Sequence, residues 1–214
     1  NIIKYKDKRT LSLLNCDKNL YELVSTDRLK TLSGKGLSEN QLADGDDRRI
    51  YHGINTARDA INLANTRNEG CAIAVIDLVA GFNLVSMNWI CLVLLAKGLS
   101  PANVQRYRNM YKKAVIKVVV NGEVGSAIRV KRCVRQGSPL SMLLFLYNMD
   151  PCIQYLDRRL TGISLYKMPV AGPICREGTP LEPLEECYKV KGYADDLKAC
   201  LLYTSPSPRD LSTS

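Results

Sequence analysis

The stretch Tyr193-Ala194-Asp195-Asp196, preceded by Val190-Lys191-Gly192, places two adjacent carboxylates between short apolar segments. This pattern predicts a tight turn between two strands, which would hold both acids at the tip of a hairpin. Taken alone, such a pair is more often a solvated turn, by about two to one. Two carboxylates are too few for a pair of Mg²⁺ ions, which prefer oxygen ligands, so a metal site requires a third acid elsewhere.

Asp77 is the candidate for that third acid. It follows Ala72-Ile73-Ala74-Val75-Ile76, an apolar run typical of a buried strand. We expect an acid at this position to lie at the end of a sheet strand, where ligands collect. The sequence therefore predicts a metal site formed by Asp77, Asp195 and Asp196.

Between these acids lies Arg135-Gln136-Gly137-Ser138-Pro139-Leu140-Ser141, a glycine–proline loop that opens a long apolar segment. The order of Asp77, Phe82, this loop and the Tyr-Ala-Asp-Asp stretch resembles the palm of reverse transcriptases, in particular those of non-LTR (LINE) retrotransposons. The resemblance covers residues 4–199 as fingers plus palm. It implies an α+β polymerase fold of the right-hand type, with an antiparallel palm sheet backed by helices and with the thumb absent from this chain.

The reaction implied by the resemblance is RNA-directed DNA synthesis. The 3′-oxygen of a DNA primer attacks the α-phosphate of a deoxynucleotide (dNTP) opposite an RNA template. Asp77 and Asp195 are then the main ligands of two Mg²⁺ ions, or of Mn²⁺ in their place, and Asp196 supports them. The same three acids are the implied catalytic residues.

The resemblance also implies a set of nucleotide-binding residues. Arg9 opens the stretch 9–15, which is similar to the R-P-I-S-L-L-N of the fingers, where the arginine contacts the triphosphate; a cation is needed there because negative charge builds on the phosphates. Gln136 and Gly137 would hold the nucleotide, since glycine lets a backbone amide approach a ligand and glutamine can bond the sugar and base region. Phe82, by itself more often a core residue, would stack under the sugar and exclude a 2′-hydroxyl.

The formal charge of +9 and the pI near 9.2 indicate a polyanionic partner. Between residues 105 and 135 there is one acid, Glu123, against nine basic residues, which are Arg106, Arg108, Lys112, Lys113, Lys117, Arg129, Lys131, Arg132 and Arg135. Such a run is usually a solvated face, but its position just ahead of the glycine–proline loop favours a groove that tracks phosphates.

Four arginines are the predicted nucleic-acid contacts. Residues 41–50 resemble the fingers segment Q-x-G-F followed by G-R-S-I. This resemblance implies that the basic side chain of Arg48 or Arg49 contacts the template. Arg132 and Arg135 follow a predicted hairpin, marked by Asn121-Gly122, and would point toward the loop.

The predicted organisation is a fingers-like region (1–71), a palm (72–199) and a tail (200–214). From Cys200 the sequence resembles a translated sequencing-library adapter, or else a disordered terminus, so we expect the strand that follows Asp196 to be cut short. Helices are predicted over about 19–31, 50–68, 85–97, 101–113 and 140–157, with Pro151 expected to kink or break the last one. The start at Asn1, without methionine, predicts a piece of a longer protein.

The cysteines and the apolar runs of the sequence indicate the cellular compartment of the protein. Eight cysteines without a C-x-x-C pair and a single histidine argue against zinc. No signal-peptide pattern opens the chain, so the cysteines are predicted to be reduced thiols in an intracellular, not secreted, protein. The resemblance to a retroelement enzyme implies the nucleus or a cytoplasmic ribonucleoprotein. The longest apolar run, residues 89–96, is shorter than the roughly 20 residues of a membrane span. No membrane partner is therefore expected, and the oligomeric state is left open.

Two other functions remain open. Thr10 stands where the family has proline and Asn83 where it has an acid, which fits an inactive nucleic-acid-binding remnant of a retroelement. An RNA-dependent RNA polymerase shares the two-metal palm, but Ala194, where those enzymes usually have glycine, and the bulky Phe82 argue against it.

Overall fold

A computed structural model describes residues 12–43, 48–166 and 185–203. The helices in these ranges are α1 (Cys16–Gly36), α2 (Ile50–Arg67), α3 (Gly81–Leu84), α4 (Met87–Ala96), α5 (Pro101–Tyr111) and α6 (Pro139–Arg159). The strands are β1 (Gly70–Ile76), β2 (Val115–Val120), β3 (Glu123–Arg129), β4 (Ile163–Tyr166), β5 (Glu185–Tyr188), β6 (Val190–Tyr193) and β7 (Asp196–Tyr203). All three of their sheets are antiparallel, so the predicted α+β class with an antiparallel sheet is confirmed. The right-hand arrangement stays a prediction.

The chain forms two compact units, each built from two separate stretches. The first unit comprises the residues up to Leu37 together with Leu78–Pro151, and the second comprises Ser38–Asp77 and the residues from Cys152 onward. Helix α6 begins in the first unit and ends in the second. The division into fingers (1–71), palm (72–199) and tail (200–214) remains a prediction.

The core of the first unit is built around the start of α6. Its apolar side chains between Leu140 and Tyr147 are buried on all sides apart from Met142. Ile90 and Leu94 of α4 and Leu29 of α1, which belong to the same unit, are also without solvent exposure. Because each fully buried leucine or isoleucine contributes about 1.5–3 kcal/mol, burial of this apolar run stabilises the helix in addition to the good helix propensity of leucine.

Pro151 does not break α6, so the expected break is wrong, while the alternative of a kink stays a prediction. The helix continues from Pro139 to Arg159 with the proline inside it. Proline removes one helical hydrogen bond, but Met149, Asp150 and Ile153 on either side are buried. Burial of these flanking side chains outweighs the single lost bond.

Between α4 and α6, the start of α5 and the β2–β3 hairpin form where short sequence motifs predict them. Ser100 caps α5, because its Oγ accepts a hydrogen bond from the backbone N–H of Asn103, and Pro101 occupies the first turn. Asn121 and Gly122 have φ values of 51° and 85°, as a two-residue hairpin turn between β2 and β3 requires. Every side chain of these two strands is exposed.

The second unit contains a three-stranded antiparallel sheet in the order β1-β7-β6. Helix α2 contributes Ala57, Ala60 and Ala64 to a buried cluster, and the other members of this cluster are Ile163, Tyr188 and Cys200. Alanines one turn apart lie on the same helix face and let the helix backbone approach its neighbours closely. In the described ranges, no helix is both long and apolar enough to cross a membrane.

Strand β7 is longer than predicted. It runs to Tyr203 and pairs with β1 from Leu197↔Ile76 to Tyr203↔Gly70. The expectation that this strand stops before Cys200 is therefore wrong. The physical reason is that β1 offers a full-length partner, so residues 197–203 complete the ladder despite the change in composition that follows. Residues 204–214 lie outside the described ranges.

Candidate active site

The paired carboxylates lie in the turn between β6 and β7, as predicted. Tyr193 and Asp196 form the last pair of the ladder, so Ala194 and Asp195 make a two-residue turn. Ala194 adopts φ 55°, which is the left-handed region that favours glycine. The Asp195 side chain is half-exposed and that of Asp196 is exposed.

The third predicted acid reaches the same corner of the sheet through strand register. Ile76 pairs with Leu197 at the end of the β1–β7 ladder. One further step along both strands sets Asp77 beside Asp196, and neighbouring strands lie about 4.8 Å apart. The fold of the second unit therefore brings residues 77, 195 and 196 together from positions more than a hundred residues apart in sequence.

The three carboxylates lack a counter-charge within the described part of the chain. Among the residues that the structure describes, none of them has a hydrogen-bond or salt-bridge partner, and Asp77 is exposed. In the same ranges no three His, Cys, Asp or Glu side chains are arranged as ligands of one metal ion. Carboxylate oxygens are the ligands that Mg²⁺ prefers. The chemistry of these donors and the backbone register are compatible with a divalent ion, although the side chains are not arranged as its ligands in this structure.

The glycine–proline loop belongs to the first unit and is held by backbone contacts. The Gln136 carbonyl accepts a hydrogen bond from the Ser12 N–H at 2.8 Å. Gly137 has φ 98°, a conformation that explains why glycine is needed there. This contact places Ser12 at the loop, whereas Arg9 lies outside the described residues.

A buried acid that the sequence reasoning missed anchors this loop. Glu22 of α1 has no solvent exposure, and its Oε1 lies 2.9 Å from Nη1 of Arg135. Its Oε2 accepts a hydrogen bond from the Ser138 hydroxyl. The available signal was helical spacing, since Glu22, Thr26 and Leu29 lie on one face of α1 and all three are buried.

Arg135 is packed within the first unit. Its side chain is 14% exposed and donates to the Met110 carbonyl at 3.2 Å as well as to Glu22. Its guanidinium carbon lies 4.8 Å from the ring centroid of Tyr111, a cation–π contact. Burial raises the pKa of the Tyr111 hydroxyl, so the ring beneath the guanidinium stays neutral.

Phe82 lies beside the loop through both side chain and backbone. Its ring stacks on that of Phe145, with 4.3 Å between centroids and an interplanar angle of 7°. Its carbonyl accepts a hydrogen bond from the Val134 N–H at 2.9 Å, two residues before Gln136. A Cβ at Gly81 would come within 3.1 Å of the Phe145 ring, so the small residue allows the stacking. Within the first unit, Phe82 is thus hydrogen-bonded to the residue that lies two positions before Gln136 in sequence.

Residues 3–207 match the family of the reverse transcriptase (RNA-dependent DNA polymerase). The chain belongs to the reverse transcriptase family. It is 28% identical over 160 residues to the transposon TX1 uncharacterized 149 kDa protein of Xenopus laevis. The alignment covers 75% of this chain and 12% of that protein, so the chain spans a small part of the relative's length.

These comparisons confirm the resemblance stated from the motifs. The reverse transcriptase assignment holds for nearly the whole chain, and the similar protein from a transposon agrees with the retrotransposon type. Members of the family are RNA-directed DNA polymerases and generally use divalent metal ions. The family therefore implies nucleic acid and nucleotides as the molecules that this reverse transcriptase region handles.

The predicted nucleic-acid contacts fall into two groups. Arg49 and Arg132 are exposed. Arg48 donates to the carbonyls of Ser38 (2.9 Å) and Gln41 (3.0 Å), while Arg135 forms the contacts described above. Of the nine basic residues between 105 and 135, all except Arg135 are exposed. The basic run is thus available at the surface of the reverse transcriptase.

Proposed function

We propose that this chain carries out RNA-templated DNA synthesis, joining a deoxynucleotide to a DNA primer. In this reaction the primer 3′-oxygen forms a bond to the α-phosphorus of the dNTP, and pyrophosphate leaves. The proposal is supported above all by the register that sets Asp77 beside Asp196 at the turn of Asp195. A nucleotidyl transfer needs carboxylates that converge on the catalytic ions. The register of Asp77 with Asp196 and the turn at Asp195 support such a site.

Asp77 and Asp195 would be the main ligands of two Mg²⁺ ions, or of Mn²⁺ ions, with Asp196 in support. Such ions, when bound, stabilise the negative charge that develops on the attacking and leaving oxygens. The protein's own contribution would be to hold the backbone positions of the three carboxylates next to one another. The register of β1 with β7 and the turn between β6 and β7 support this role.

The nucleotide would be held by Arg9, Gln136, Gly137 and Phe82. The Gln136 side chain would bond the sugar and base region, while Gly137 is exposed and has no side chain, so a ligand could approach its backbone amide. Phe82 would lie under the sugar, and its stacking on the buried Phe145 makes its position rigid. A rigid ring at this place would collide with a 2′-hydroxyl and so select deoxynucleotides.

Template and primer would be bound largely through phosphates. Arg49 and Arg132 are the arginines most available for this role, because both are exposed. Arg48 and Arg135 remain proposed contacts, although both already hold backbone carbonyls. The exposed basic run from Arg106 to Arg132 supplies the charge that makes such binding favourable.

Primer extension on an RNA template with a DNA primer tests the proposal. We expect Mg²⁺-dependent incorporation of dNTPs by the chain, and a loss of at least about a thousandfold in Asp195→Asn, because carboxylates that hold catalytic ions support most of the rate. Asp59→Asn is the matched control, since Asp59 is an exposed acid on α2. Equal extension by both variants would contradict the proposal, and equal use of ribonucleotides would favour an RNA polymerase.

A second candidate function is an inactive nucleic-acid-binding remnant. Asn83 replaces an acid next to Phe82, and no metal-ligating group is assembled among the described side chains. Retained binding of an RNA–DNA duplex together with no extension by the wild-type chain would favour this candidate over a polymerase.

A further inference from the structure

The segment Ser38–Ala43, which we call the edge strap, lies along the outer side of β6. Gly192 donates its N–H to the Asn40 carbonyl, and its own carbonyl accepts from the Leu42 N–H, both at 2.7 Å. These bonds form a parallel bridge between Gln41 and Gly192. The strap therefore extends the sheet by one more neighbour, on the strand that leads into the turn of Asp195.

The strap is fixed by polar contacts on both sides. Asn40 accepts from Lys191 Nζ at 2.9 Å and donates to the Asp157 carboxylate at 3.0 Å. Arg48 donates to two carbonyls of the strap, those of Ser38 and Gln41. Because side chains from β6, α6 and the segment before α2 converge on it, the strap is a fixed element on which a further contact can depend.

Gln41 extends from the strap to the carboxylate turn. The residue has no solvent exposure, and its Oε1 accepts hydrogen bonds from the N–H groups of Ala194 and Ala43, each at 3.2 Å. Its Nε2 is buried and has no partner among the described residues. Burying an unpaired amide N–H is unfavourable, so the favourable contribution of this side chain comes from its oxygen.

Ala194 is the residue that needs such support. Its φ of 55° is rare for a residue with a Cβ, and it is buried directly before Asp195. Gly192, two residues earlier, is closed in by Ile153 of α6, whose Cδ1 would lie 2.7 Å from an added Cβ. The edge strap, Ile153 of α6 and the Gln41 side chain thus all contact the backbone that leads into the turn.

We propose that Gln41 is a positioning residue for the metal-binding turn. By accepting the Ala194 N–H, it holds the strained turn in the conformation that sets the Asp195 carboxylate for a divalent cation. This inference rests on the proposed function. It assigns a role to Gln41, which opens the segment resembling Q-x-G-F but does not itself take part in the proposed nucleotidyl transfer.

Two variants of the 214-residue chain test the role. Gln41→Met keeps the length of the side chain and removes the acceptor. Ala194→Gly relaxes the backbone and is combined with Gln41→Met. Gln105→Met is the control, because Gln105 is an exposed glutamine on α5 whose amide bonds Asn109 of the same helix.

Two measurements are made on each variant. Hydrogen exchange of the Ala194 amide reports whether the bond to Gln41 exists, and titration of free Mn²⁺ by electron paramagnetic resonance reports the cation site without requiring activity. We expect Gln41→Met to expose the Ala194 amide and to weaken Mn²⁺ binding about tenfold, the effect of one lost hydrogen bond. Binding of an RNA–DNA duplex should be unchanged, as should both measurements in Gln105→Met.

Rescue separates positioning from general stability. In the Gln41→Met background, Ala194→Gly should bring Mn²⁺ affinity back to within about threefold of wild type, because coupled residues are not additive. Hydrogen exchange of the Ala194 amide in the wild-type chain keeps the test open if Gln41→Met does not fold, because the bond to Gln41 should protect this amide. Rapid exchange of the wild-type Ala194 amide, or unchanged Mn²⁺ binding in folded Gln41→Met, would overturn the inference.

The wild-type titration distinguishes failure of the proposed function from failure of the positioning role. If the wild-type chain binds no Mn²⁺, the proposed function fails and the role of Gln41 fails with it. If the wild type binds Mn²⁺ and Gln41→Met binds it equally well, only the role of Gln41 is wrong.

Discussion

The carboxylate of Glu22 and the guanidinium of Arg135 form an ion pair at 2.9 Å, which joins helix α1 to the loop that opens α6. Glu22 is fully buried and also accepts from Ser138, so it holds both ends of the Arg-Gln-Gly-Ser turn. The residues between these two contacts are Gln136 and Gly137, the proposed nucleotide contacts. The shape of this binding loop therefore depends on a buried charge pair.

Replacing Glu22 by alanine should lower the free energy of unfolding by about 3–5 kcal/mol, since it leaves the mostly buried guanidinium of Arg135 without its counter-charge. Urea denaturation measures this. Asp27→Ala is the control, because Asp27 is an exposed acid on the same helix, and it should change stability by less than about 0.5 kcal/mol. Equal effects of the two changes would show that the pair does not hold the loop.

Arg132 and Arg135 should behave differently although both precede the loop. Arg132→Gln removes an exposed charge, so we expect weaker binding of an RNA–DNA duplex, a salt dependence reduced by about one unit of log–log slope, and unchanged stability. Arg135→Gln should instead lower stability by about 3 kcal/mol because it breaks the pair with Glu22. Fluorescence anisotropy at several salt concentrations, together with urea denaturation, measures both. A stability loss in Arg132→Gln would contradict the assignment.

Phe82→Val should relax the selection against ribonucleotides. The smaller side chain leaves room for a 2′-hydroxyl, so the ratio of kcat/KM for dNTP over rNTP should fall by about tenfold or more. Single-nucleotide incorporation on an RNA template measures this ratio. Leu84→Val, at an exposed site on the same short helix, should leave the ratio unchanged. A fall of similar size in both variants would mean that Phe82 is only a core residue.

Tyr188→Phe should stabilise the second unit by about 1 kcal/mol, because the Tyr188 hydroxyl is buried without a hydrogen-bond partner in the described ranges. Burial, with a smaller effect of the Cys200 and Cys71 thiols, raises the pKa of Tyr188 to about 12. The unfolded tyrosine ionises first, near pH 10, so the wild type should lose stability between about pH 10 and pH 12. Thermal unfolding across this range measures the difference. The loss should be smaller in Tyr188→Phe, and an identical pH profile would contradict burial of the Tyr188 hydroxyl as its cause.

The parts that the sequence predicted best are those with local signals. Asn121-Gly122 determined the β2–β3 hairpin, Ser100 and Pro101 the start of α5, and the Asp-Asp pair its turn. Each of these depends on backbone preferences within a few residues. The family's motif order then indicated which distant elements belong to one fold, and the register of β1 with β7 agrees with it.

The contacts that escaped prediction all join residues far apart in the chain. Glu22 lies 113 residues from Arg135, and Gln41 lies 153 residues from Ala194. A buried acid on a helix and a glutamine in a loop carry no local sign of their partners. The course of α6 through Pro151 and the length of β7 were missed for the same reason, because packing and a distant partner strand outweighed the local signal.

The most direct measurement of the central claim is oxidative cleavage of the chain by Fe²⁺ bound in place of Mg²⁺. With ascorbate and peroxide, the bound iron generates radicals that cut the backbone nearest to it, and mass spectrometry locates the cuts. Because Asp77, Asp195 and Asp196 are proposed to share the ions, we expect cuts around residue 77 and around residues 195–196 together, both suppressed by excess Mg²⁺. Cuts near only one of these two positions, or at neither, would contradict the account.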